Sequence, residues 1–538
     1  MKASDIFIKV LENHGVDTIF GVPGEENLDF INSMKDSSIK LILTRNEQTA
    51  VFMAATHGRL TGKIGVAIAT LGPGATNMMT GVAYAQLGGM PVMVITGQKP
   101  IKKSKQGLFQ IVDVVGMMTP LTQYSKTIIS AHMLPYMVNT AIKIAEEEKP
   151  GAVHIELPED IAAEEIEIKS EDIPRIPYSR RPEIDEKMLK TLVSKIEKSK
   201  TPVILMGSAA NRKRVTKYIT KFIVKHNIPY FASQMGKGVV DGCENQYLGT
   251  AALTENDYIH DILDQSDLII SVGYDSVEKP TQVISDGRTE VVHINFVNTS
   301  MDSVYSPSLE VIGDIGNTFW RLEESDINTS NWDFEEIYAM RKVNKKKLMG
   351  NISLEDNIEI MMPRRLVNDV RECMGEEDIL TLDNGLYKVW FARNYPAYTP
   401  NTILLDNALA TMGAGFPSAM EAKRLNPDKK VVCVTGDGGL VMNLGDLETL
   451  VRLKLDIVVV VLNNYNYGMI KWKQEGSGFD DYGLDFGNPN FVQLAQSFGG
   501  TGFKVEHKND FKKTLKKSLN KKGLVIIDLD FDYPQDIK

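Results

Sequence analysis

The chain has 538 residues, of which 43% are hydrophobic and 24% charged, as in a soluble globular protein of about three or four domains. Its 60 basic and 70 acidic residues give a formal net charge of −10, which argues against a nucleic-acid or anionic-membrane partner. The three cysteines, Cys243, Cys373 and Cys433, lie far apart without a CxxC pair, so a disulfide scaffold and a cysteine-based zinc site are excluded.

No targeting or membrane-spanning segment is recognisable. Asp5 precedes any apolar core near the first methionine, unlike in a secretory signal peptide. The most apolar run, residues 457–462, is far shorter than the roughly 20 residues that span a bilayer. We therefore expect a cytoplasmic protein.

Strands and helices alternate through the first part of the chain. The expected elements are a β-prone segment at 18–20, a strand at 39–43, a helix at 48–60, and strands at 66–69 and 91–95. Such nearly continuous apolar strands between helices predict a parallel sheet covered on both faces.

Two further α/β blocks follow, each with several apolar strands. Those of the second block are expected at 202–206, 267–273 and 291–295, after a charged, proline-containing linker at 164–190. Those of the third are expected at 379–381, 431–434, 457–462 and 524–529, after a helical connector at 321–360. The sequence thus predicts an α/β protein of three doubly wound parallel-sheet domains, at 1–165, 185–325 and 360–538.

Several common catalytic motifs are missing. The chain contains no GxGxxG, GxxxxGK[ST], GxSxG or HExxH, so an ordinary dinucleotide fingerprint, a P-loop and the common hydrolase sites lack support. Its eight histidines are scattered and form no ligand-like pair. The chemistry must therefore reside in another pattern.

That pattern lies at the ends of two strands in the third block. One strand runs into Gly436-Asp437-Gly438-Gly439, and the next ends at Asn463-Asn464. The residues between them leave room for one crossover helix, expected at 443–452, so Asp437 and Asn464 should lie side by side on neighbouring parallel strands. A carboxylate, an amide oxygen and a nearby carbonyl suit a hard cation such as Mg²⁺.

The GDG and NN motifs at this spacing resemble the thiamine diphosphate (ThDP) motif of ThDP-dependent decarboxylases and carboligases. The resemblance implies that Asp437, Asn464 and the backbone carbonyl of Asn466 hold Mg²⁺, which grips the cofactor's diphosphate. It implies further cofactor contacts at Gly436, Gly438, Gly439, Gly468 and Met469.

The N-terminal block resembles the pyrimidine-binding domain of the same family. It carries Gly21-Val22-Pro23-Gly24, with Gly24 as an implied cofactor contact, and Arg45-Asn46-Glu47-Gln48. Glu47 matches the glutamate that bonds N1′ of the aminopyrimidine; alone, it would read as an ordinary acid at a helix N-terminus. Many relatives have His where this chain has Asn46, a change expected to alter the pH response or local hydrogen bonds.

A glycine-rich stretch from 409 to 415 supplies two more implied contacts. By resemblance, Met412 is the bulky apolar residue that wedges the cofactor into its bent form, and Ala410 offers its carbonyl to the 4′-amino group. Without the resemblance, a methionine here would read as core filler.

The segments 21–30, 70–77, 95–113, 150–162 and 405–420 resemble the large-subunit family of acetolactate synthases. The resemblance implies that two pyruvates become 2-acetolactate and CO₂. It implies that Gln98, Phe109 and Gln110 line the approach to the thiazolium, and that Lys237 approaches the site from the middle domain. Trp472 reads equally as a channel wall or as surface packing.

The flavin of biosynthetic members is the remaining cofactor question. Their arginine- and acid-rich motif corresponds here to residues 273–278, which lack the first arginine and the paired acids. The chain therefore resembles the FAD-free, catabolic type, and we expect no tightly bound FAD. In this family the two cofactor halves come from different subunits, so a homodimer or homotetramer is implied.

Two alternatives stay open. One is another ThDP-dependent 2-ketoacid decarboxylase or carboligase, since the cofactor motifs do not specify the acceptor. The other is a non-catalytic ThDP-fold regulatory subunit, which the presence of both Glu47 and Asp437 disfavours.

Overall fold

The structure is a computed structural model that describes residues 1–102, 107–169, 172–174, 182–211, 213–240, 245–251, 258–278, 289–300, 305–349 and 361–533. Cys243 lies outside these residues, whereas Cys373 and Cys433 are buried free thiols. Parts of the predicted linker at 164–190, of the connector at 321–360 and of the segment 95–113 also lie outside them. Within the described chain, no helix combines the length and hydrophobicity needed to cross a membrane.

The first sheet has six parallel strands in the order β2-β1-β3-β4-β6-β5. Its strands are β1 Thr18–Gly21, β2 Lys40–Leu43, β3 Gly65–Ala69, β4 Val92–Gln98, β5 Tyr124–Thr127 and β6 Ala152–Pro158. The accompanying helices are α1 Ala3–Asn13, α2 Leu28–Lys35, α3 Glu47–Thr61, α4 Pro73–Asn77, α5 Met79–Leu87, α6 Val114–Met118, α7 Leu134–Glu146 and α8 Glu159–Ala162.

The second sheet also has six parallel strands, in the order β12-β11-β10-β7-β8-β9. Its strands are β7 Pro202–Met206, β8 Tyr230–Ala232, β9 Tyr247–Thr250, β10 Leu268–Val272, β11 Glu290–Asn295 and β12 Leu309–Ile312. The helices described here are α9 Glu186–Lys198, α10 Lys213–His226, α11 Tyr258–Leu263, α12 Ile315–Glu324 and α13 Glu335–Met349.

The third sheet repeats the pattern in the order β14-β13-β15-β16-β18-β17. Its strands are β13 Ile379–Leu382, β14 Ile403–Leu404, β15 Val431–Gly436, β16 Ile457–Asn463, β17 Thr501–Val505 and β18 Leu524–Asp530. The helices of this part of the chain are α14 Pro363–Cys373, α15 Tyr387–Asn394, α16 Gly415–Leu425, α17 Asp437–Val441, α18 Leu447–Arg452, α19 Gly468–Gly476, α20 Phe491–Ser497 and α21 Lys508–Ser518.

Three parallel sheets with their helices confirm the predicted fold class. Every residue of β16 is buried, as expected for an apolar strand in a parallel sheet covered on both faces. The predicted crossover helix at 443–452 is wrong at its start: a 3₁₀ turn at Leu444–Asp446 precedes α18. Asn443 has a non-helical φ of −127° and ψ of 28°, and its side chain makes tertiary contacts described below.

Packing divides the chain into two compact units. The first comprises residues 1–179, 409–427 and 440–455; the second comprises 180–408, 428–439 and 456–538. In the first unit, α16 packs against α3, where Arg424 donates to both carboxylate oxygens of the buried Glu421 at 2.7 Å. His57 Nδ1 of α3 lies 2.9 Å from the same carboxylate. Residues 409–427 and 440–455 therefore belong with the N-terminal sheet in packing; the predicted domain boundaries stay a prediction.

Candidate active site

Asp437 and Asn464 lie together at the carboxyl ends of β15 and β16. The parallel register pairs Gly436 with Leu462, so the residues that follow each strand meet at one edge of the sheet. Oδ2 of Asp437 accepts hydrogen bonds from the backbone N–H groups of Asn464 (3.1 Å) and Tyr465 (2.7 Å). The structure thus brings the Asp437 carboxylate to the backbone of Asn464, the residue that the sequence predicted to be its neighbour.

A third side chain, Asn488, completes this cluster. Its Nδ2 donates to Asp437 Oδ2 at 2.8 Å and to Asn463 Oδ1 at 2.9 Å. The precise orientation of the Asp437 carboxylate therefore depends on a residue that the sequence did not single out. Asn488 follows no strand and matches no motif, so only the fold reveals it.

The oxygen atoms around Asp437 fit a hard divalent cation. Oδ1 of Asn466 and Oδ1 of Asn488 are buried and lack a hydrogen-bond partner among the described residues. A cation beside a carboxylate and amide oxygens would satisfy such atoms. Within the described ranges no group of three or more His, Cys, Asp or Glu residues is placed to hold a metal ion. The oxygens that could hold a cation here belong to one carboxylate and to amide and carbonyl groups.

The glycines of this region sit where a side chain would collide with a neighbour. A Cβ on Gly439 would lie 2.1 Å from Oδ2 of Asp383, and one on Gly438 would lie 2.9 Å from the Tyr467 ring. The N–H of Gly436 donates to the Tyr387 hydroxyl at 3.0 Å. The turn after β15 is therefore packed tightly by residues of the segments that follow β13 and β16.

A cavity of about 880 Å³ adjoins the same strand ends in the second unit. Its lining includes Asn464, Asn466, Gly468 and Trp472. A Cβ on Gly468 would lie 2.6 Å from the Tyr533 ring, so glycine is needed at this wall. The sequence left two roles for Trp472, a channel wall or surface packing; in the structure Trp472 lines this cavity. Met469 is partly buried and packs against the core of the third sheet.

Glu47 is the first residue of α3, in the first unit. Asn46 is the N-cap, and its side-chain oxygen accepts from the N–H of Gln48 at 2.8 Å. The carboxylate of Glu47 accepts from Asn77 Nδ2 at 2.9 Å, and its other oxygen would lie 3.4 Å from a Cβ on Gly74. Asn46 is thus an effective cap, and the helix begins at Glu47, directly after it.

Gln110 adjoins the turn that faces Glu47. Gln110 has a positive φ of 59°, and its carbonyl oxygen would lie 2.7 Å from a Cβ on Gly72. Phe109 is 65% exposed. Glu47 and Gln110 therefore flank the same turn, Gly72-Pro73-Gly74, and Phe109 directly precedes Gln110 in the chain.

The polar side-chain groups of Gln98 and Lys237 form hydrogen bonds with neighbouring residues. Gln98 is buried at the end of β4, and its Nε2 donates to Glu156 Oε2 at 2.9 Å. Lys237 is buried in the second unit, and its Nζ donates to Ala392 O at 2.9 Å and Thr250 Oγ1 at 3.2 Å. Each of these hydrogen bonds lies within one unit.

Two loops complete the predicted contacts within the first unit. Gly24 packs so closely on the residue after β3 that a Cβ there would lie 2.4 Å from Thr70 Cβ. Ala410 has a positive φ of 55°, and Gly413, just after the half-buried Met412, has a φ of 86°. Left-handed backbone on both sides of Met412 makes a sharply bent loop.

The second sheet reverses its strand order between β7 and β10, a place where open α/β sheets bind ligands. The Glu278 carboxylate lies there, fully buried. It accepts from the N–H and hydroxyl of Ser208, at 2.9 and 2.8 Å, and from Ser233 Oγ at 2.5 Å. Burial raises the pKa of Glu278 to about 7.

Comparison with known protein families gives three matches along the chain. They are the thiamine pyrophosphate enzyme N-terminal TPP binding domain at 1–117, the central domain at 189–322 and the C-terminal TPP binding domain at 383–529. Thiamine pyrophosphate, TPP and thiamine diphosphate are names of one compound.

Similarity to known proteins extends over the whole chain. An acetolactate synthase of Bacillus subtilis is 30% identical over 100% of this chain and 94% of its own length. A catabolic acetolactate synthase of Raoultella terrigena is 30% identical over 98% of this chain and 95% of its own. A probable acetolactate synthase large subunit of Methanococcus aeolicus is 30% identical over 99% and 92%.

Proposed function

Because this chain belongs to the acetolactate synthase family of thiamine pyrophosphate enzymes, we propose that it converts two pyruvates into 2-acetolactate and CO₂. The observation that carries the proposal is the cluster of Asp437, Asn464 and Asn488 at one edge of the third sheet, in a chain similar over its full length to these enzymes. Its substrates are small 2-ketoacids.

The first part of the proposal concerns how the chain holds ThDP and Mg²⁺. Asp437, Asn464 and the carbonyl of Asn466 would hold the metal, and through it the diphosphate. The Oδ1 atom of Asn488 supports this assignment: it is buried without a hydrogen-bond partner among the described residues, and its amide donates to Asp437, so a cation held by Asp437 would satisfy it. Gly436, Gly438, Gly439, Gly468 and Met469 would border the diphosphate.

The second part concerns the pyrimidine half of the cofactor. When bound, the cofactor supplies the electron sink that lets a 2-ketoacid lose CO₂. Glu47 would hold and exchange a proton at N1′ of the pyrimidine, the one proton-transfer role assigned to this chain. Met412 would press on the cofactor from its bent loop, Ala410 would accept from the 4′-amino group, and Gly24 would border the ring.

The third part concerns the substrate side. Phe109 and Gln110, beside the turn that faces Glu47, would exclude water from the reacting ketoacid, so that the second pyruvate competes successfully with a proton. Gln98 would influence the site indirectly, through its hydrogen bond to Glu156. Lys237 would do so through its hydrogen bond to the carbonyl of Ala392.

We propose that the enzyme works without tightly bound FAD. A dinucleotide at this crevice needs free backbone N–H groups for its diphosphate. Here the N–H of Ser208 is bound to Glu278, and that of Ala209 to the carbonyl of Gly273 at 3.0 Å. Flavin absorbance near stoichiometry in the purified protein would contradict this.

Finally, we propose a cytoplasmic homodimer or homotetramer, since in this family the two cofactor halves come from different subunits. Light scattering of the purified protein, with and without ThDP and Mg²⁺, measures the assembly. A monomer that retains full activity at every concentration tested would contradict this part.

The deciding experiment is product analysis with pyruvate, ThDP and Mg²⁺. Formation of 2-acetolactate and CO₂ in a ratio of one to one supports the proposal, and addition of 2-ketobutyrate tests the acceptor. Acetaldehyde with CO₂ and no acetolactate would indicate a simple decarboxylase. ThDP binding without any turnover would favour a regulatory subunit.

A further inference from the structure

The side chain of Asn443 links α3 to the bent loop that carries Met412. Its Oδ1 accepts from Thr49 Oγ1 at 3.2 Å, and its Nδ2 donates to the carbonyl of Gly413 at 2.6 Å. Asn443 and Thr49 are buried. Thr49 lies in the first turn of α3, and Gly413 directly follows Met412. One buried amide therefore contacts both elements, all within the first unit.

A second contact anchors the other side of Glu47. Oδ1 of Asp446 accepts from the backbone N–H of Arg45 at 2.8 Å. A Cβ on Gly445 would lie 3.3 Å from Arg45 Cβ, so the two backbones are packed closely. Residues 443–446 thus hold the chain both before Glu47, at Arg45, and after it, at Thr49.

From these contacts we propose that Asn443 is a positioning residue, which fixes the Glu47 end of α3 relative to the backbone around Met412. The inference rests on the proposed function, in which Glu47 and Met412 contact the cofactor. Proton transfer requires Glu47 to lie at hydrogen-bonding distance from N1′, and a displacement of about 1 Å costs about a hundredfold in rate.

The chemistry of the bridge explains why the residue is asparagine. The position needs an acceptor for the Thr49 hydroxyl and a donor for the Gly413 carbonyl on one short, planar group. Aspartate would keep the acceptor but place an oxygen against the Gly413 carbonyl. A Cβ on Gly413 would lie 2.7 Å from Asn443 Nδ2, so glycine is required opposite the amide.

The test compares Asn443→Ala and Thr49→Val with Thr49→Ser, which keeps the hydroxyl. Three quantities are measured on the full-length protein: the melting temperature, the ThDP dissociation constant by calorimetry with Mg²⁺, and the exchange rate of the C2 proton of bound ThDP by NMR. We expect exchange to slow by about a hundredfold in Asn443→Ala and about tenfold in Thr49→Val, with Thr49→Ser close to wild type.

Asn426→Ala is the matched control. Asn426 lies in the same unit, and among the described residues its Nδ2 donates to the backbone at the end of α16, to Ala422 O at 3.0 Å. Its loss is expected to lower the melting temperature slightly and to leave proton exchange unchanged. A purely structural role for Asn443 would give the same result as this control.

The outcomes separate the two proposals. Wild-type protein that binds no ThDP, or does not exchange its C2 proton, overturns the proposed function and the inference with it. If the wild type is active and the folded Asn443→Ala variant exchanges the C2 proton of ThDP at the wild-type rate, only the inference about Asn443 is overturned. If Asn443→Ala does not fold, Thr49→Val decides in the same way.

Discussion

The backbone N–H of Tyr465 donates to Oδ2 of Asp437 at 2.7 Å, across the ends of two neighbouring parallel strands. The same oxygen accepts from Nδ2 of Asn488 at 2.8 Å. The carboxylate is thereby fixed in position before any cation binds, and each of its supporting donors becomes a point at which cation affinity can be tested.

Loss of the Asn488 side chain is expected to weaken Mg²⁺ binding. Asn488→Ala removes a donor that orients Asp437, and such supporting contacts are worth about ten- to a hundredfold in metal affinity. The Mg²⁺ concentration for half-maximal ThDP binding measures the effect. Asn490→Ala, which removes the cap of α20, should cost about 1 kcal/mol of stability and leave Mg²⁺ affinity unchanged.

Glu47→Gln is expected to retain cofactor binding and lose turnover. Glutamine keeps the shape and the contact with Asn77 but exchanges no proton, so kcat should fall by about a hundred- to ten-thousandfold. Pyruvate consumption and ThDP calorimetry measure the two properties. Glu12→Gln, which alters a partly buried carboxylate of α1 bound to Ser38, should leave kcat intact; wild-type kcat in Glu47→Gln would refute the assigned role.

Glu278 is expected to make stability depend on pH. Burial raises its folded pKa from 4.5 to about 7, and Asp275 acts in the same direction. Between these values the folded protein binds more protons than the unfolded chain, so the stability from this group falls as pH rises through the window, by about 3 kcal/mol at most.

Melting temperatures of wild type and Glu278→Gln across that window measure the effect. The variant does not ionise there, so its stability relative to wild type should increase with pH and then level off above about pH 7. Exposed Glu324 offers the control Glu324→Gln, whose curve should run parallel to wild type. A Glu278→Gln curve parallel to wild type would show that the carboxyl does not titrate in this range.

The buried pair of Lys99 and Glu26 is expected to matter for stability. Both side chains are nearly inaccessible, and Thr70 Oγ1 donates to Glu26 Oε2 at 2.5 Å. Although burial acts to raise it, the pKa of Glu26 is held below its usual value by Lys99 and Thr70. Lys99→Met leaves the carboxylate unpaired and should cost about 3–5 kcal/mol.

Chemical denaturation measures that loss. The double variant Lys99→Met, Glu26→Gln removes the unpaired charge and should recover part of the stability. Lys63→Met tests an exposed pair with Glu146 and should change stability by less than about 1 kcal/mol. Equal effects of Lys99→Met and Lys63→Met would contradict the argument from burial.

The neighbourhood of Asp437 and Asn464 was predictable because it follows from parallel strand order, which apolar runs reveal. The start of α3 was predictable to one residue, since Asn46 and the apolar run define it. The contacts of Asn443 and Asp446 could not be predicted from the sequence. Arg45 lies 401 positions from Asp446, and a periodic pattern of apolar residues carries no information about partners so far apart in the chain. Residues 443–446 resemble a helix start in sequence, but their side chains serve tertiary contacts instead.

Gln98 illustrates a second limit. A family resemblance assigns it to the substrate approach, but its orientation depends on Glu156, on the neighbouring strand β6. The buried Glu278 was similarly hidden, because its donors Ser208 and Ser233 come from different strand ends. The direction of a side chain at a strand end depends on residues of the neighbouring strands, and the sequence alone does not give the register between those strands.

The order of the third sheet also bears on how the protein is made. β18, residues Leu524–Asp530, lies between β16 and β17 and is the only described strand with which β17 pairs. During synthesis, β17 therefore emerges before the strand it needs, and β16 keeps an open edge until residue 530 has left the ribosome. Folding of the sheet that carries Asp437 is thus tied to a strand translated after both of its neighbours, and a nascent chain stalled before residue 524 should present the open edge of β16 to chaperones.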